Sequence, residues 1–220
     1  MSLILNIETS SPIASVCLAD GEKILSLKSI RDQQSHASKI TLMCKSAIED
    51  AGVSFSDLSA IAYSCGPGSY TGLRIGLSTA KGFCYALGIP LLSVHSLKSL
   101  AHGFHLNEEE VDFIIPLIDA RRMEVFTAVY DNSLEEVAEA WPEILSEDSF
   151  KTFFEKGKVG FIGTGTEKTA KLLQSERHFS ISNLLPSAEF MTTISLDMYG
   201  NRNVSDLAYE SPFYLKDFHS

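Results

Sequence analysis

The sequence repeats its own organisation after a shift of 111 positions. Under this shift Ile7-Glu8 aligns with Ile118-Asp119, and the hairpin signal Asp20-Gly21 aligns with Asp131-Asn132. In the first copy an apolar strand pattern ends at the acidic residue, and two further strand patterns follow it along the chain. A duplicated chain of this kind folds as two similar lobes, and 220 residues are enough for both.

The repeat predicts an α/β protein with a two-lobed actin-like fold, in which duplicated RNase H-like lobes carry mixed sheets flanked by helices. We expect a first lobe at residues 1–103 and a second at 104–220, with the tail 201–220 packing back on the first. In such proteins the carboxyl ends of strands face a cleft. Glu8 and Asp119 are therefore candidates for acids that hold the magnesium of a nucleotide through water.

A glycine-rich segment follows the fourth strand of the first copy, and Phe161-Ile162-Gly163-Thr164-Gly165 echoes its start at a slightly different offset. In the first copy Gly66, Gly68 and Gly72 are spaced GxGxxxG, which matches neither the dinucleotide fingerprint nor the P-loop. One interpretation is that the free N–H groups around Ser69 bind an anion at the start of the next helix. The other is that Ser69 or Thr71 caps that helix while the glycines supply unusual backbone angles.

Small residues recur every four positions after this segment. Gly72, Gly76, Ala80, Cys84 and Gly88 form a nearly continuous strip along one side of a helix. Each interior glycine costs about 1 kcal/mol against alanine, so close packing should compensate for it. The strip predicts close approach of another element, either inside the fold, which we favour, or across an interface.

Charge and composition exclude several functions. The net charge is −10 with no cluster of Lys and Arg, which argues against direct binding to nucleic acid except through a partner or a small local patch. Arg74, Arg121 and Arg122 could contact phosphates, but ion pairs with the abundant acids are the expected alternative. The four scattered cysteines are typical of a reducing cytoplasm, and no segment resembles a signal peptide or a membrane span.

The histidines and serines give little support to hydrolytic chemistry. His95, His102 and His105 lack an acid or cysteine at ligand spacing, so we expect no metal there. The GxSxG motif of one class of serine hydrolases is absent.

Five segments occur along the chain in the order LNIETS, GPGSYTGLRIGLSTAKGF, SVHSLKSLA, PLIDARRMEVF and PFYLKDF. Together they resemble the TsaB (YeaZ) family across the whole chain. The resemblance implies a partner subunit without chemistry or cofactor of its own. This subunit forms a heterodimer with TsaD, which makes threonylcarbamoyladenosine at position 37 of tRNAs that read codons starting with A.

The resemblance also implies roles for particular residues. TsaD-like proteins hold their metal with an HxxxH pair, and the corresponding positions here are Ser96 and Leu100, which cannot replace imidazole ligands. The cleft inherited from nucleotide-binding ancestors would be vestigial, formed by Glu8, Thr9, Gly66, Gly68, Ser69, Asp119, Gly163 and Gly165. Helices of the first lobe would form the partner interface through His36, Ile40, Met43, Ala47, Gly72, Gly76 and Ala80.

Other functions remain open from the sequence. An actin-fold ATPase or phosphotransferase would use Glu8 and Asp119 with magnesium, and a peptidase or a tRNA-binding module are further alternatives. We expect contact with tRNA only through TsaD, with a TsaE-like ATPase joining through the complex. A homodimer is expected when the chain is alone, because an unpaired helical surface can bind its own copy.

Overall fold

The computed structural model describes residues 2–31, 36–107, 110–173, 179–182 and 184–216. The side chains of His36 and Asn107 are outside this description, although their backbones are helical. The chain divides into two compact units. The first contains Met1–Ser99 and Pro186–Phe213, and the second contains Leu100–Leu185 and Tyr214–Ser220. The boundary between two lobes that the sequence suggested at residue 103 stays a prediction.

The first unit is built on a five-stranded mixed sheet. An antiparallel meander is followed by two parallel strands, giving the order β3-β2-β1-β4-β5. The hairpin turn falls at Gly21, as the sequence predicts. The strands are β1 (Leu3–Glu8), β2 (Ala14–Asp20), β3 (Lys23–Ile30), β4 (Ala60–Gly66) and β5 (Leu91–His95).

Helices cover both faces of this sheet because β1 and β4 are apolar on both sides. Leu5 and Ile7 pack towards α1 (His36–Asp50) and α2 (Tyr70–Leu87). Ile4 points the other way, towards a 3₁₀ turn at Ala188–Met191 and the helix α6 (Thr192–Gly200). Residues from late in the sequence therefore complete the core of the first unit.

The second unit repeats the topology of the first. Its sheet has the order β10-β9-β6-β7-β8, with β6, β7 and β8 antiparallel and β6, β9 and β10 parallel. The strands are β6 (Phe113–Asp119), β7 (Glu124–Asp131), β8 (Glu136–Ile144), β9 (Val159–Ile162) and β10 (Phe179–Ser182). The remaining helices are α3 (Ser96–Asn107), which begins at the end of the first unit, α4 (Lys151–Phe154) and α5 (Thr166–Leu172).

The duplication predicted from the 111-residue shift is confirmed by the two sheets. Each has the same strand order and the same change from antiparallel to parallel pairing, and Glu8 and Asp119 are the last residues of corresponding strands. The fold is the predicted two-unit α/β architecture.

Candidate functional site

Glu8 lies at the end of β1 in the interior of the first unit. Its side chain is fully buried. Oε1 accepts hydrogen bonds from the Ser10 amide (2.5 Å) and from Ser64 Oγ (3.0 Å), whereas Oε2 has no partner among the described residues. Burial raises the pKa of Glu8, and the hydrogen bonds from Ser10 and Ser64 oppose this only in part. Burial therefore penalises the ionised form of this carboxyl group.

The raised pKa gives a testable dependence of stability on pH. The folded state holds the Glu8 proton more tightly than the unfolded state, so the carboxyl stabilises the fold at low pH. This contribution is lost as the pH rises from the ordinary value of 4.5 through the raised pKa. Glu8→Gln should remove this fall in the free energy of unfolding, which amounts to about 1.4 kcal/mol per unit of pKa shift. Urea unfolding from pH 4 to pH 8 measures it, with the exposed Glu22→Gln as the control for loss of charge. A wild-type profile that parallels that of Glu8→Gln would contradict the expectation.

The glycine segment holds the loop that follows Glu8. The Ser69 amide donates to the Ser10 carbonyl (2.7 Å), and Ser69 Oγ accepts from the Gly72 amide (3.3 Å), so Ser69 is the N-cap of α2. A Cβ atom at Gly68 would lie 2.5 Å from Ser10 O. Of the two interpretations left open by the sequence, these contacts support the cap and the tight turn.

The small-residue strip of α2 faces inward, which corrects part of the predicted interface. Gly72, Gly76 and Ala80 are buried. A Cβ at Gly72 would overlap the carbonyl oxygen of Thr9, and one at Gly76 would overlap Thr9 Oγ1. Gly72 and Gly76 therefore allow close approach of the loop after β1 inside the fold. These two residues cannot contact a partner, because Thr9 already occupies the space beside them, and Ala80 is buried as well.

The predicted contacts of α1 need a similar correction. Ile40 and Ala47 are buried in the core beneath the helix, and Met43 is partly buried against it. The side chain of His36 lies outside the described residues. Helical periodicity correctly identifies a common face, but that face covers the sheet instead of solvent.

The residues exposed on α1 and α2 form a different surface. Leu42 is 63% exposed and Tyr85 is 83% exposed. Between the two helices lies an open groove of about 430 Å³, lined by Ala37, Tyr70, Thr71, Arg74, Ile75, Ser78 and Thr79. We call the outward side of these two helices the outer helix face. It could not be found by periodicity, because the most regular pattern of each helix belongs to the buried side.

Asp119 occupies the position in the second unit that Glu8 occupies in the first, but its environment differs. It is half exposed, and its Oδ1 forms an ion pair with Lys168 Nζ (2.7 Å) on α5. The same Nζ donates to the carbonyl oxygens of Arg122 (3.1 Å) and Glu124 (2.5 Å). The Asp119 amide donates to Thr164 Oγ1 (2.9 Å). Lys168 was not expected from the sequence, since it lies 49 residues from Asp119.

Gly66 and Gly163 each form a tight turn at the end of a parallel strand, one in each unit. Gly66 is the last residue of β4 and Gly163 follows β9 directly. Both have a positive φ, 120° at Gly66 and 111° at Gly163, which favours glycine. A Cβ at Gly66 would lie 2.5 Å from the carbonyl oxygen of Phe213, and one at Gly163 would overlap that of Leu117. Gly165 is packed against Val125 and Leu117. The two glycine turns that echo each other in the sequence therefore share a positive φ and a close approach of a backbone carbonyl oxygen.

A C-terminal strap, residues 205–213, lies along the first sheet. The Ser205 amide donates to Leu91 O, and the Phe213 amide donates to Cys65 O. Glu210 Oε1 accepts hydrogen bonds of 2.6 Å from both Tyr63 Oη and Ser93 Oγ. These hydrogen bonds hold the strap on the first sheet, and its hydrogen-bond partners had no signal in the sequence.

The described part of the chain contains neither a metal-binding cluster nor a membrane-spanning helix. No group of three His, Cys, Asp or Glu side chains there could hold a metal ion. Burial lowers the pKa of His95 to about 4, and its ring packs 4.7 Å from that of Phe213. Among the same residues, no helix is long and apolar enough to cross a membrane.

The fold and the two strand-end carboxylates define an actin-like protein of two RNase H-like units. The matching family model is described as "TsaD: tRNA N6-adenosine threonylcarbamoyltransferase" and covers residues 25–210. Two curated relatives are named "tRNA threonylcarbamoyladenosine biosynthesis protein TsaB". The Escherichia coli protein is 29% identical over 97% of this chain and 94% of its own length. The Bacillus subtilis protein is 31% identical over 78% and 75%.

A solved structure agrees with these relatives. YeaZ from Pseudomonas aeruginosa is 26% identical, has a TM-score of 0.83, and is matched over 98% of this chain and 100% of its own. The chain belongs to the TsaB (YeaZ) family, as its sequence motifs indicate.

Proposed function

We propose that this chain is a non-catalytic subunit of the complex that forms N6-threonylcarbamoyladenosine at position 37 of tRNAs reading ANN codons. It acts by forming a heterodimer with a TsaD-like catalytic subunit and supporting it. Family membership supports the pathway, because the relatives carry the name of this biosynthesis. The two carboxylates and the outer helix face support the passive role and the partnership.

The environment of Glu8 and Asp119 is the main observation that supports a non-catalytic role. An actin-like phosphotransferase needs ionised acids open to water to hold its magnesium. Glu8 is fully buried with a raised pKa, and Asp119 is already paired with the ammonium of Lys168. Neither group is free to serve a hydrated magnesium ion, so nucleotide chemistry in this chain has no support from the site.

The outer helix face is the surface we propose for the TsaD-like partner. It combines exposed apolar side chains, Leu42 and Tyr85, with a groove that contains Arg74. Arg74 stacks on Tyr70, with its guanidinium carbon 4.0 Å from the ring centroid. Aromatic rings and arginine are enriched in protein interfaces, where they supply contact area and directed hydrogen bonds. This face replaces the inward residues Gly72, Gly76 and Ala80 as the proposed contact.

Further assembly follows from the same role. A TsaE-like ATPase joins through the complex, and tRNA is engaged only indirectly, through the TsaD-like subunit. Alone, the chain pairs with itself through the outer helix face, because an exposed apolar surface is covered when no other partner is present. A cytoplasmic location agrees with four buried thiols that form no disulfide.

Mixing the purified chain with its cognate TsaD-like subunit tests the proposal. We expect a one-to-one complex by calorimetry and size-exclusion chromatography, and modification of tRNA only when both proteins are present. The chain alone should not turn over ATP with magnesium, nor cleave peptides. Turnover of ATP by the isolated chain, lost in both Glu8→Gln and Asp119→Asn, would instead establish the alternative of an actin-fold ATPase or phosphotransferase.

A further inference from the structure

The loop between β6 and β7 presents two adjacent arginines in an uncommon backbone conformation. Arg121 and Arg122 have φ angles of 71° and 48°, in the left-handed region that non-glycine residues seldom adopt. Both residues are exposed. Two consecutive residues in this region persist only when surrounding contacts hold them there. We refer to residues 120–123 as the arginine tip.

Three groups of contacts hold the arginine tip. Asp119 Oδ1 accepts from the Arg121 amide (2.7 Å), and Arg121 O accepts from the Glu124 amide (3.1 Å). Lys168 Nζ then joins Asp119 Oδ1, Arg122 O and Glu124 O. The conformation is therefore specified by hydrogen bonds from both of its ends and from α5.

The acids beside the arginine tip are paired with lysines instead of the arginines. Asp119 pairs with Lys168, and both carboxylate oxygens of Glu124 accept from Lys216, at 2.9 Å and 2.8 Å. Within the described residues, neither Arg121 nor Arg122 has an ion pair or a side-chain hydrogen bond. The ion pairs that the sequence predicted for these arginines are absent from that part of the structure. The tip is thus a local positive patch on a chain of net charge −10.

We propose that the arginine tip is a binding site for a phosphate group. Guanidinium groups bind phosphate through paired, charge-assisted N–H···O hydrogen bonds. Lys168 and Lys216 act as positioning residues, since they neutralise the flanking acids and leave both guanidinium groups free for an external anion. The phosphate can belong to a nucleotide or to an RNA backbone, which share this chemistry. The proposal stands whether or not the chain is the partner subunit proposed above.

Titrations observed by NMR on the ¹⁵N-labelled full chain test this site. The probes are inorganic pyrophosphate and a single-stranded RNA oligonucleotide. We expect one or both to shift the amide and Nε resonances of Arg121 and Arg122. Stronger binding of pyrophosphate would identify nucleotide phosphates as the source, and stronger binding of RNA would identify the backbone. If neither probe moves these resonances, the proposal is wrong.

The variant Arg121→Gln/Arg122→Gln should weaken binding of the effective probe at least about tenfold. For RNA it should also reduce the slope of log affinity against log salt by about one for each phosphate that is no longer neutralised. Arg202→Gln is the matched control, because Arg202 is also exposed and has a positive φ of 55°. Equal losses in the control and the double variant would overturn the proposal.

Lys168→Met separates the positioning role from simple folding. It preserves the aliphatic stem but leaves the Asp119 carboxylate free to pair with an arginine of the tip, so affinity should fall. Adding Asp119→Asn removes the competing charge, and we expect affinity to recover in part, because the hydrogen bonds from Lys168 to the Arg122 and Glu124 carbonyl oxygens remain lost. Failure to recover, with the fold intact by its NMR spectrum, would contradict the role assigned to Lys168.

Discussion

Gly72→Ala should destabilise the first unit severely, although alanine is the better helix former. A methyl group at this buried position overlaps the carbonyl oxygen of Thr9. Backbone cannot move aside as a flexible side chain can, so either α2 or the β1 loop must shift. We expect the free energy of unfolding to fall by about 2–4 kcal/mol, after the roughly 1 kcal/mol that alanine gains in helix propensity. Urea unfolding followed by circular dichroism measures the change.

Two other glycines of α2 provide the controls. Gly82 is exposed, and a methyl group there would meet nothing within 4 Å, so Gly82→Ala should stabilise the chain by up to about 1 kcal/mol. A Cβ at Gly76 meets the side-chain oxygen of Thr9, so Gly76→Ala should be rescued in part by Thr9→Ala. The same second change should not rescue Gly72→Ala, because the carbonyl remains. Equal effects of Gly72→Ala and Gly82→Ala would show that Thr9 does not pack on the helix as described.

Leu42→Glu or Tyr85→Glu should abolish binding to the TsaD-like subunit while leaving the fold intact. Both side chains are exposed, so a carboxylate there costs little in the free chain. Burial of that carboxylate in an apolar contact is costly, and we expect the affinity measured by calorimetry to fall at least about a hundredfold. The same substitutions should reduce tRNA modification in proportion to the loss of complex.

Matched substitutions elsewhere test whether the effect belongs to the outer helix face. Leu106 on α3 is 58% exposed and Tyr209 on the strap is 86% exposed. Leu106→Glu and Tyr209→Glu introduce the same charge at similarly exposed positions and should leave the affinity unchanged. If these controls weaken the complex as much as Leu42→Glu does, the partner binds another surface.

Local sequence patterns predicted much of the fold. The strand-acid-hairpin order, the shift of 111 residues, and the change from strand to helix after the glycine turn all appear in the structure. These features depend on the period of apolar residues and on turn chemistry, both of which act over a few residues. The family motifs, carried by the same segments, led to the correct family.

The environment of the candidate site could not be predicted in the same way. The sequence placed Glu8 and Asp119 at strand ends, but not the burial of one and the ion pair of the other. It also gave no sign that Glu210 accepts hydrogen bonds from Tyr63 and Ser93. Such contacts join residues far apart in the chain, and a single sequence contains no periodic signal for them.

The sequence by itself determined that this protein is a duplicated α/β chain. It also determined that the helix after the glycine turn has one face of small residues. Only the tertiary structure decided that the small side rests on Thr9, that the outward side carries Leu42 and Tyr85, and that lysines from other elements neutralise the acids beside the arginine tip. The physical reason is that periodicity fixes which residues share a face. The neighbour that covers this face, and the charge that meets each acid, depend on how distant segments pack.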